Sequence, residues 1–321
     1  MKMKASAVAY ASQALIAFHG YSDETRRTLP VDTLFCSLTN LYSTTTIEFS
    51  DHSSENLVFV NGRSLVNAER QRVEEFIFLL ANQYNLPRVF HLESKNSFPS
   101  RCGLGSSGSA FASIVQAIGT IVNEDNKRTL SKLARIGSIS AASSLVGGVS
   151  VLHAGSEQLW ADQVIEPAGM PIAAVCVIVN ASRDTIDIHR EARCSPLYDT
   201  VAKVSRSACS AMCEALKAKD FSKIAEIAQR QLTYNMALLS TGPSHLLVWR
   251  PETIAVAQAI ANFRAQNNIP AVCAMNSGPS LFCYVPKEHL DSLTQVIKEL
   301  GVTFISCMTA GGAKAIKEHL F

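Results

Sequence analysis

The chain has 321 residues, 47% hydrophobic and 17% charged, with a formal net charge of +2. That composition supplies a sizeable core and excludes a disordered or filamentous chain. The near balance of 29 basic and 27 acidic residues leaves no overall field to recruit nucleic acid or an anionic membrane, so a small-molecule or protein partner is expected.

Residues 1–14 carry two lysines but no sustained apolar run, and no later stretch reaches membrane-spanning length. In chain order, residues 44–50 and 56–60 are β-rich runs flanking the polar turn signal Asp51-His52-Ser53-Ser54, and they read as a hairpin. Residues 65–84 set Val73, Phe76, Ile77 and Leu80 at helical spacing ahead of Pro87. Residues 88–92 read as a strand and 106–122 as a helix of small residues. A second helical stretch, 129–145, stops at Gly147-Gly148, and a short strand covers 149–153. The continuous apolar run 172–179 predicts a buried strand. Amphipathic helices follow over 196–219, 221–239 and 251–266. Strands over 271–275 and 280–285 bracket the turn Asn276-Ser277-Gly278-Pro279, and a helix over 287–300 leads to a last strand over 303–308. This alternation is α+β, in two domains meeting near residues 165–180.

The nine cysteines are scattered, odd in number and without a CxxC pair. Cys209 and Cys213 lie four apart, yet no His or Cys cluster completes a metal site around them. Buried free thiols in a reducing compartment, and hence a soluble cytoplasmic protein, are the expectation.

The densest signal lies in Phe98-Pro99-Ser100-Arg101-Cys102-Gly103-Leu104-Gly105-Ser106-Ser107-Gly108-Ser109. Two close glycines let consecutive N–H groups turn into one concavity of the kind a polyphosphate fills. The helix beginning near Ser106 adds unsatisfied amides and the positive end of its dipole. Hydroxyls of Ser106, Ser107 and Ser109 are available to phosphate oxygens or Mg²⁺. Gly103-Leu104-Gly105-Ser106-Ser107-Gly108 also satisfies GxGxxG, but no acidic strand end stands where a ribose contact belongs, which argues against an NAD-binding oxidoreductase. No GK[ST] follows, so this is not a Walker A loop. A glycine-serine turn that merely caps a helix is the remaining alternative for so short a match.

Read without a gap from Pro99 to Ser109, the segment resembles the Pro-x-x-x-Gly-Leu-Gly-Ser-Ser phosphate motif of the GHMP kinases. Further stretches are similar, in order, to the mevalonate phosphate and diphosphate decarboxylases of that class. They are Gln13 through Asp23, Asn96-Ser97-Phe98-Pro99, Ala134-Arg135-Ile136-Gly137-Ser138-Ile139-Ser140-Ala141, and Asn276-Ser277-Gly278-Pro279. Thr241-Gly242-Pro243 with Trp249-x-Pro251-x-Thr253 is closest to the archaeal-type phosphomevalonate decarboxylases.

The resemblance implies a two-domain GHMP-kinase fold. An ATP-binding domain like domain 2 of ribosomal protein S5 would cover residues 1–175, and a ferredoxin-like domain 176–321. It implies ATP and Mg²⁺ as cofactors, mevalonate or its phosphates as substrate, and a homodimer. Nucleotide contacts fall on Asn96, Pro99, Gly103, Leu104, Gly105, Ser106, Ser107 and Ser109, with Ser106 the Mg²⁺ ligand; Arg101 either meets nucleotide phosphate or faces solvent. Substrate contacts fall on Phe18, His19, Tyr21, Ser138, Ser140 and Arg193.

The family's chemistry rests on an Asp at the substrate 3-hydroxyl, a Lys beside it, and an Arg on the carboxylate and phosphate end. This sequence has Asn276, Ala17 and Ser143 there. Asn accepts no proton, and neither Ala nor Ser pairs with an anion as Arg does. Replacement charges are sought in Arg183, Asp184, His189, Arg193 and His19, while Asn276 retains the capacity to orient a hydroxyl. The expected activity is ATP-dependent phosphoryl transfer to a mevalonate-like 3-hydroxy acid. The alternatives are a mevalonate 3-kinase-like reaction without decarboxylation, and a nucleotide-binding pseudoenzyme.

Overall fold

Small residues at alternate positions begin the fold. In the computed structural model, which describes residues 3–50, 55–100, 102–155, 157–180 and 185–321, β1 (Lys4–Ile16) pairs antiparallel with β2 (Thr33–Phe49). Ala5, Ala7 and Ala9 point to one face, as the period of two requires. There they meet α1 (Asn67–Tyr84), α2 (Ser106–Val122) and α3 (Lys127–Gly137). One half of β2 pairs with β5 (Phe90–Asn96) and the other with β6 (Val149–Leu152), which carries β7 (Ala161–Ile165). Beyond β5 lie β3 (Leu57–Val60) and β4 (Arg63–Ser64).

The expected hairpin between residues 44–50 and 56–60 does not form. β5 lies between the two runs, antiparallel to β2 and parallel to β3. Its Phe90 and Leu92 are buried with α1 and α2. The inserted strand therefore gains a ladder on both edges and a share of the core, which an isolated two-stranded ribbon lacks. The turn residues 51–54 lie outside the described residues.

The helical stretch 129–145 is broken. α3 ends at Gly137 and α4 (Ile139–Val146) begins after Ser138, which is extended at φ −159° and ψ 140°. Gly137 packs so closely on Phe111 that a Cβ would come within 2.4 Å of the ring. The stretch 196–219 likewise divides into α6 (Tyr198–Ser205) and α7 (Ala208–Ala218), after an unexpected α5 (Thr185–Arg193). α8 (Phe221–Ser240) and α9 (Pro251–Asn267) follow as read.

The second sheet runs β11 (Phe304–Cys307), β8 (Ile172–Val177), β10 (Leu281–Pro286), β9 (Val272–Ala274). Val175, Val177, Leu281 and Cys283 face α9 and α10 (Leu290–Glu299), whereas Ala174, Cys176, Phe282 and Tyr284 face the first sheet and α7 and α8. Apolar cover on both faces explains why β8 reads as an unbroken apolar run. The chain continues past β11, the expected last strand. β12 (Lys314–Ile316) pairs with the outer edge of β1, with Ser6 opposite Ile316. The first sheet thus contains strands from both ends of the sequence, and β8, astride residue 175, belongs to the second.

The nine cysteines are free thiols, all but Cys194 and Cys213 buried. None of the described helices is long and apolar enough to cross a membrane.

Candidate active site

The glycine-serine loop, the N-terminus of α4, the end of β1 and the β9–β10 turn enclose a cleft of about 1000 Å³, its open mouth included. Gly103 and Gly105 adopt φ of +83° and +75°, and both line the cleft with Ser106 and Ser107. Gly103 also passes so near the β9–β10 turn that a Cβ would lie 2.6 Å from the Gly278 carbonyl oxygen. The hydroxyls of Ser107 and Ser138 are 3.2 Å apart, so the N-termini of α2 and α4 open on the same space. Both helices direct unpaired amides and positive dipole ends toward it.

A two-amide clasp fixes this loop. Gln13 Nε2 donates to the Leu104 carbonyl at 2.7 Å, and Asn276 Nδ2 donates to Gln13 Oε1 at 2.6 Å and to the Gly103 carbonyl at 3.4 Å. Asn276 Oδ1 accepts the Ala14 N–H at 2.9 Å. Asn276 thus ties β1, the glycine-serine loop and the β9–β10 turn together, and its amide needs both donors and an acceptor to do so.

The other end of the cleft is walled by Ala17, Phe18, His19, Tyr21 and His189. Asn235 of α8 holds this segment, accepting from the His19 backbone N–H and Nδ1, both at 3.1 Å, and donating to the Ala17 carbonyl at 2.7 Å. Burial lowers the His19 pKa to about 4, against a smaller rise from Asn235. His189 Nδ1 accepts the Gly20 N–H at 3.1 Å. Its pKa is pushed well below the ordinary value by burial, then by the charges of His19 and Arg27. The Tyr21 ring stacks on His189 with centroids 3.8 Å apart and planes 8° apart. Burial raises the Tyr21 phenol, opposed by the charge and hydrogen bond of Arg27 and by Arg72 and Arg135. Both imidazoles are therefore neutral at neutral pH, and the cations lining the cleft are Arg27 and Arg72. No carboxylate lines it among the described residues.

The sequence-expected residues divide sharply. Ala17, Phe18, His19, Tyr21, Gly103, Gly105, Ser106, Ser107, Ser138, Ser140, His189 and Asn276 all line this one cleft. Leu104 contributes its carbonyl to the clasp while its side chain is buried. Ser109 is wholly buried, its hydroxyl 2.7 Å from that of Ser43, and does not reach the cleft. Ser143 is also fully buried, without a partner for its hydroxyl. Asn96 bonds Ser43 and Ser100, and Pro99 accepts the Cys102 thiol, so both shape the loop's entry. Arg193 is exposed, with its guanidinium carbon 4.3 Å over the Tyr198 ring, outside the cleft lining. Arg101, Arg183 and Asp184 lie outside the described residues.

Sequence reasoning missed Gln13, Arg27, Arg72 and Asn235. An arginine on the polar face of α1 or in a polar turn carries no local signal that separates it from a solvated charge.

A glycine loop opening one helix beside the N-terminus of a second, with an eight-stranded and a four-stranded sheet among the described residues, gives an α+β fold of the GHMP-kinase type. The sequence narrows this, since residues 9–164 match the diphosphomevalonate decarboxylase-like N-terminal domain family. The chain as a whole is similar to the mevalonate phosphate and diphosphate decarboxylases. It is 28% identical over 319 residues to the phosphomevalonate decarboxylase of Haloferax volcanii, covering 98% of each chain. The solved structure of MDDEF in complex with MVAPP, AMPPCP and magnesium superposes with a TM-score of 0.91 at 24% identity, covering 99% of this chain and 100% of that one. Mevalonate-3-kinase from Thermoplasma acidophilum, solved with mevalonate 3-phosphate and ADP bound, superposes at 0.83 with 18% identity, covering 99% and 100%. At these identities the two structures speak to fold.

Proposed function

We propose that the chain is an ATP- and Mg²⁺-dependent enzyme of isoprenoid biosynthesis. It transfers a phosphoryl group to the 3-hydroxyl of mevalonate or one of its phosphates and releases ADP without CO₂. The observation that carries this reading is the make-up of the cleft. Two helix N-termini and a hydroxyl-bearing glycine loop meet a cationic end, with no carboxylate in the described lining. The reading also rests on the relatives' activities.

The residues present fit a nucleotide polyphosphate. Positive φ at Gly103 and Gly105 turns the loop amides into a concavity, and the Gly103–Gly278 approach leaves no room for a side chain there. Loop and α2 amides would hold phosphate oxygens, and the Ser106 and Ser107 hydroxyls would be shared between phosphate and Mg²⁺. Bound Mg-ATP supplies the transferable phosphoryl group and part of the counter-charge. Gln13 and Asn276 keep the loop in one conformation, which matters because phosphoryl transfer depends chiefly on positioning and charge stabilisation. Phe18, Tyr21 and the neutral His19 and His189 exclude water from the acceptor end.

Loss of CO₂ after phosphorylation demands stabilisation of a carbocation-like centre. Asn276 is committed to the loop, Ala17 is neutral and Ser143 is buried away from the cleft, so that step has no support here. The decisive experiment measures ADP and CO₂ in parallel from Mg-ATP with mevalonate, its 5-phosphate and its 5-diphosphate. ADP alone is expected; ADP with CO₂ would make the chain a decarboxylase despite its replacements. Nucleotide binding without either product would favour a second reading, a nucleotide-binding pseudoenzyme, which the full engagement of the Asn276 amide with Gln13, Ala14 and Gly103 supports. The same reading carries a cytoplasmic homodimer, a state that light scattering checks.

A further inference from the structure

Two arginines beside the acceptor end have no carboxylate partner among the described residues. Arg135 is 2% exposed, yet its protein contacts are neutral. Its Nε and Nη2 both donate to the Arg27 carbonyl, at 3.1 and 2.7 Å, while Nη1 is buried without a partner. Burial lowers its pKa to about 10, so it stays charged at neutral pH. Burying an unpaired cation is costly, and a second cation follows immediately. Arg27 itself lines the cleft and hydrogen-bonds Tyr21.

Arg27 also occupies the left-handed region at φ 51°, which costs a non-glycine residue free energy and persists where surroundings over-determine it. Those surroundings are visible. The Arg27 N–H donates to the Glu24 carbonyl at 3.3 Å, the Asp23–Thr28 bridge closes the turn, and the Arg135 fork grips the carbonyl. A strained backbone, a buried unpaired cation holding it, and a half-buried guanidinium directed at a carboxylate-free cleft are three separate costs. An anion bound at Arg27 would answer the third directly and give the other two a purpose, the placing of that guanidinium.

We propose that Arg27 binds the anionic end of the substrate, with Arg135 as the positioning residue that sets its backbone. This rests on the reading of an anionic hydroxy acid as substrate. Arg27 supplies the positive charge missing at Ala17 and Ser143, from a turn rather than from a strand or helix. Phosphate and carboxylate share the required chemistry, a planar or tetrahedral oxyanion that accepts two N–H bonds.

Calorimetric titration tests this with the full chain, using mevalonate, mevalonate 5-phosphate and, separately, Mg-AMPPCP. R27M is expected to weaken mevalonate 5-phosphate binding roughly 10- to 100-fold, the loss of a charge-assisted pair, with R27K intermediate. Nucleotide affinity should stay within about twofold by the same scale, which also certifies folding. R135K, which cannot make the two-pronged grip, should lower substrate affinity and leave nucleotide affinity in place. A loss confined to the 5-phosphate identifies phosphate as the bound group, and equal losses for both ligands identify the carboxylate; either supports the proposal. Wild type and R27M binding equally would overturn it alone. Wild type binding nucleotide but neither mevalonate compound would overturn the substrate reading and the proposal with it.

Discussion

At the scale of single residues, Asn276 looks like a damaged catalytic position, but its contacts describe a different occupation. Its Nδ2 faces two oxygens, Gln13 Oε1 and the Gly103 carbonyl. In N276D a carboxylate would face both. Rotating the Gln13 amide would answer one clash by sacrificing the Gln13–Leu104 bond. An unmade buried hydrogen bond costs about 1–3 kcal/mol. N276D is therefore expected to lower stability by about that amount in urea titration and to weaken Mg-AMPPCP binding roughly 5- to 50-fold, without any gain of CO₂ release. CO₂ release gained by this one change would show that a carboxylate here acts on the substrate and that the clasp is not the position's main part. None of this was legible in the sequence. Gln13 and Asn276 lie 263 residues apart, and an amide in either place reads locally as an ordinary polar residue.

At the scale of elements, the strand–loop–helix around the glycine-serine loop was the most readable part of the chain, because its geometry is local. Two glycines, a run of small residues and hydroxyls at the helix start specify it within a dozen positions, and α2 begins at Ser106 as read. β1 was missed for the opposite reason. Its alternation uses Ala and Ser rather than β-branched residues, so propensity is silent while burial between α2 and β2 decides. The break at Ser138 was hidden too, because Gly137 yields to the Phe111 ring rather than to any local signal. The loop makes a sharp prediction when Gly103 is compared with Gly155. Both have φ +83°, but a Cβ at Gly155 would meet nothing within 4 Å, whereas at Gly103 it would strike Gly278. G155A should cost about 1 kcal/mol, the left-handed strain alone, and leave nucleotide binding intact. G103A adds displacement of the loop against the β9–β10 turn, so it should cost about 1–3 kcal/mol more and abolish measurable Mg-AMPPCP binding. Equal effects of the two substitutions would mean that the Gly103–Gly278 approach does not shape the site.

At the scale of the whole molecule, the apolar runs announced an α+β chain with a doubly covered strand, but not that the last strand returns to the first, since β12 is short and largely exposed. Nor did they announce that two histidines in the cleft wall would be almost wholly buried. That burial couples global stability to pH. The folded pKa of His19 is about 4, below its ordinary 6.5, and His189 is depressed as well. The unfolded chain therefore takes up these protons first as pH falls. Their contribution is fully present above pH 6.5 and is lost progressively as pH drops toward the folded values. For His19 alone the loss amounts to about 2 kcal/mol by pH 5 and about 3 kcal/mol by pH 4. Most of the first part falls above the ordinary carboxylate range, so acid titration of Asp and Glu contributes little there. Urea unfolding at pH 7.5, 6.5, 5.5 and 5.0 should show a steady fall in stability at constant slope. Over the same range the imidazole resonance of His19 should show no midpoint. A His19 resonance that titrates near pH 6.5, or stability flat from pH 7.5 to 5, would mean that water reaches the ring and that this end of the cleft is charged rather than neutral in mild acid.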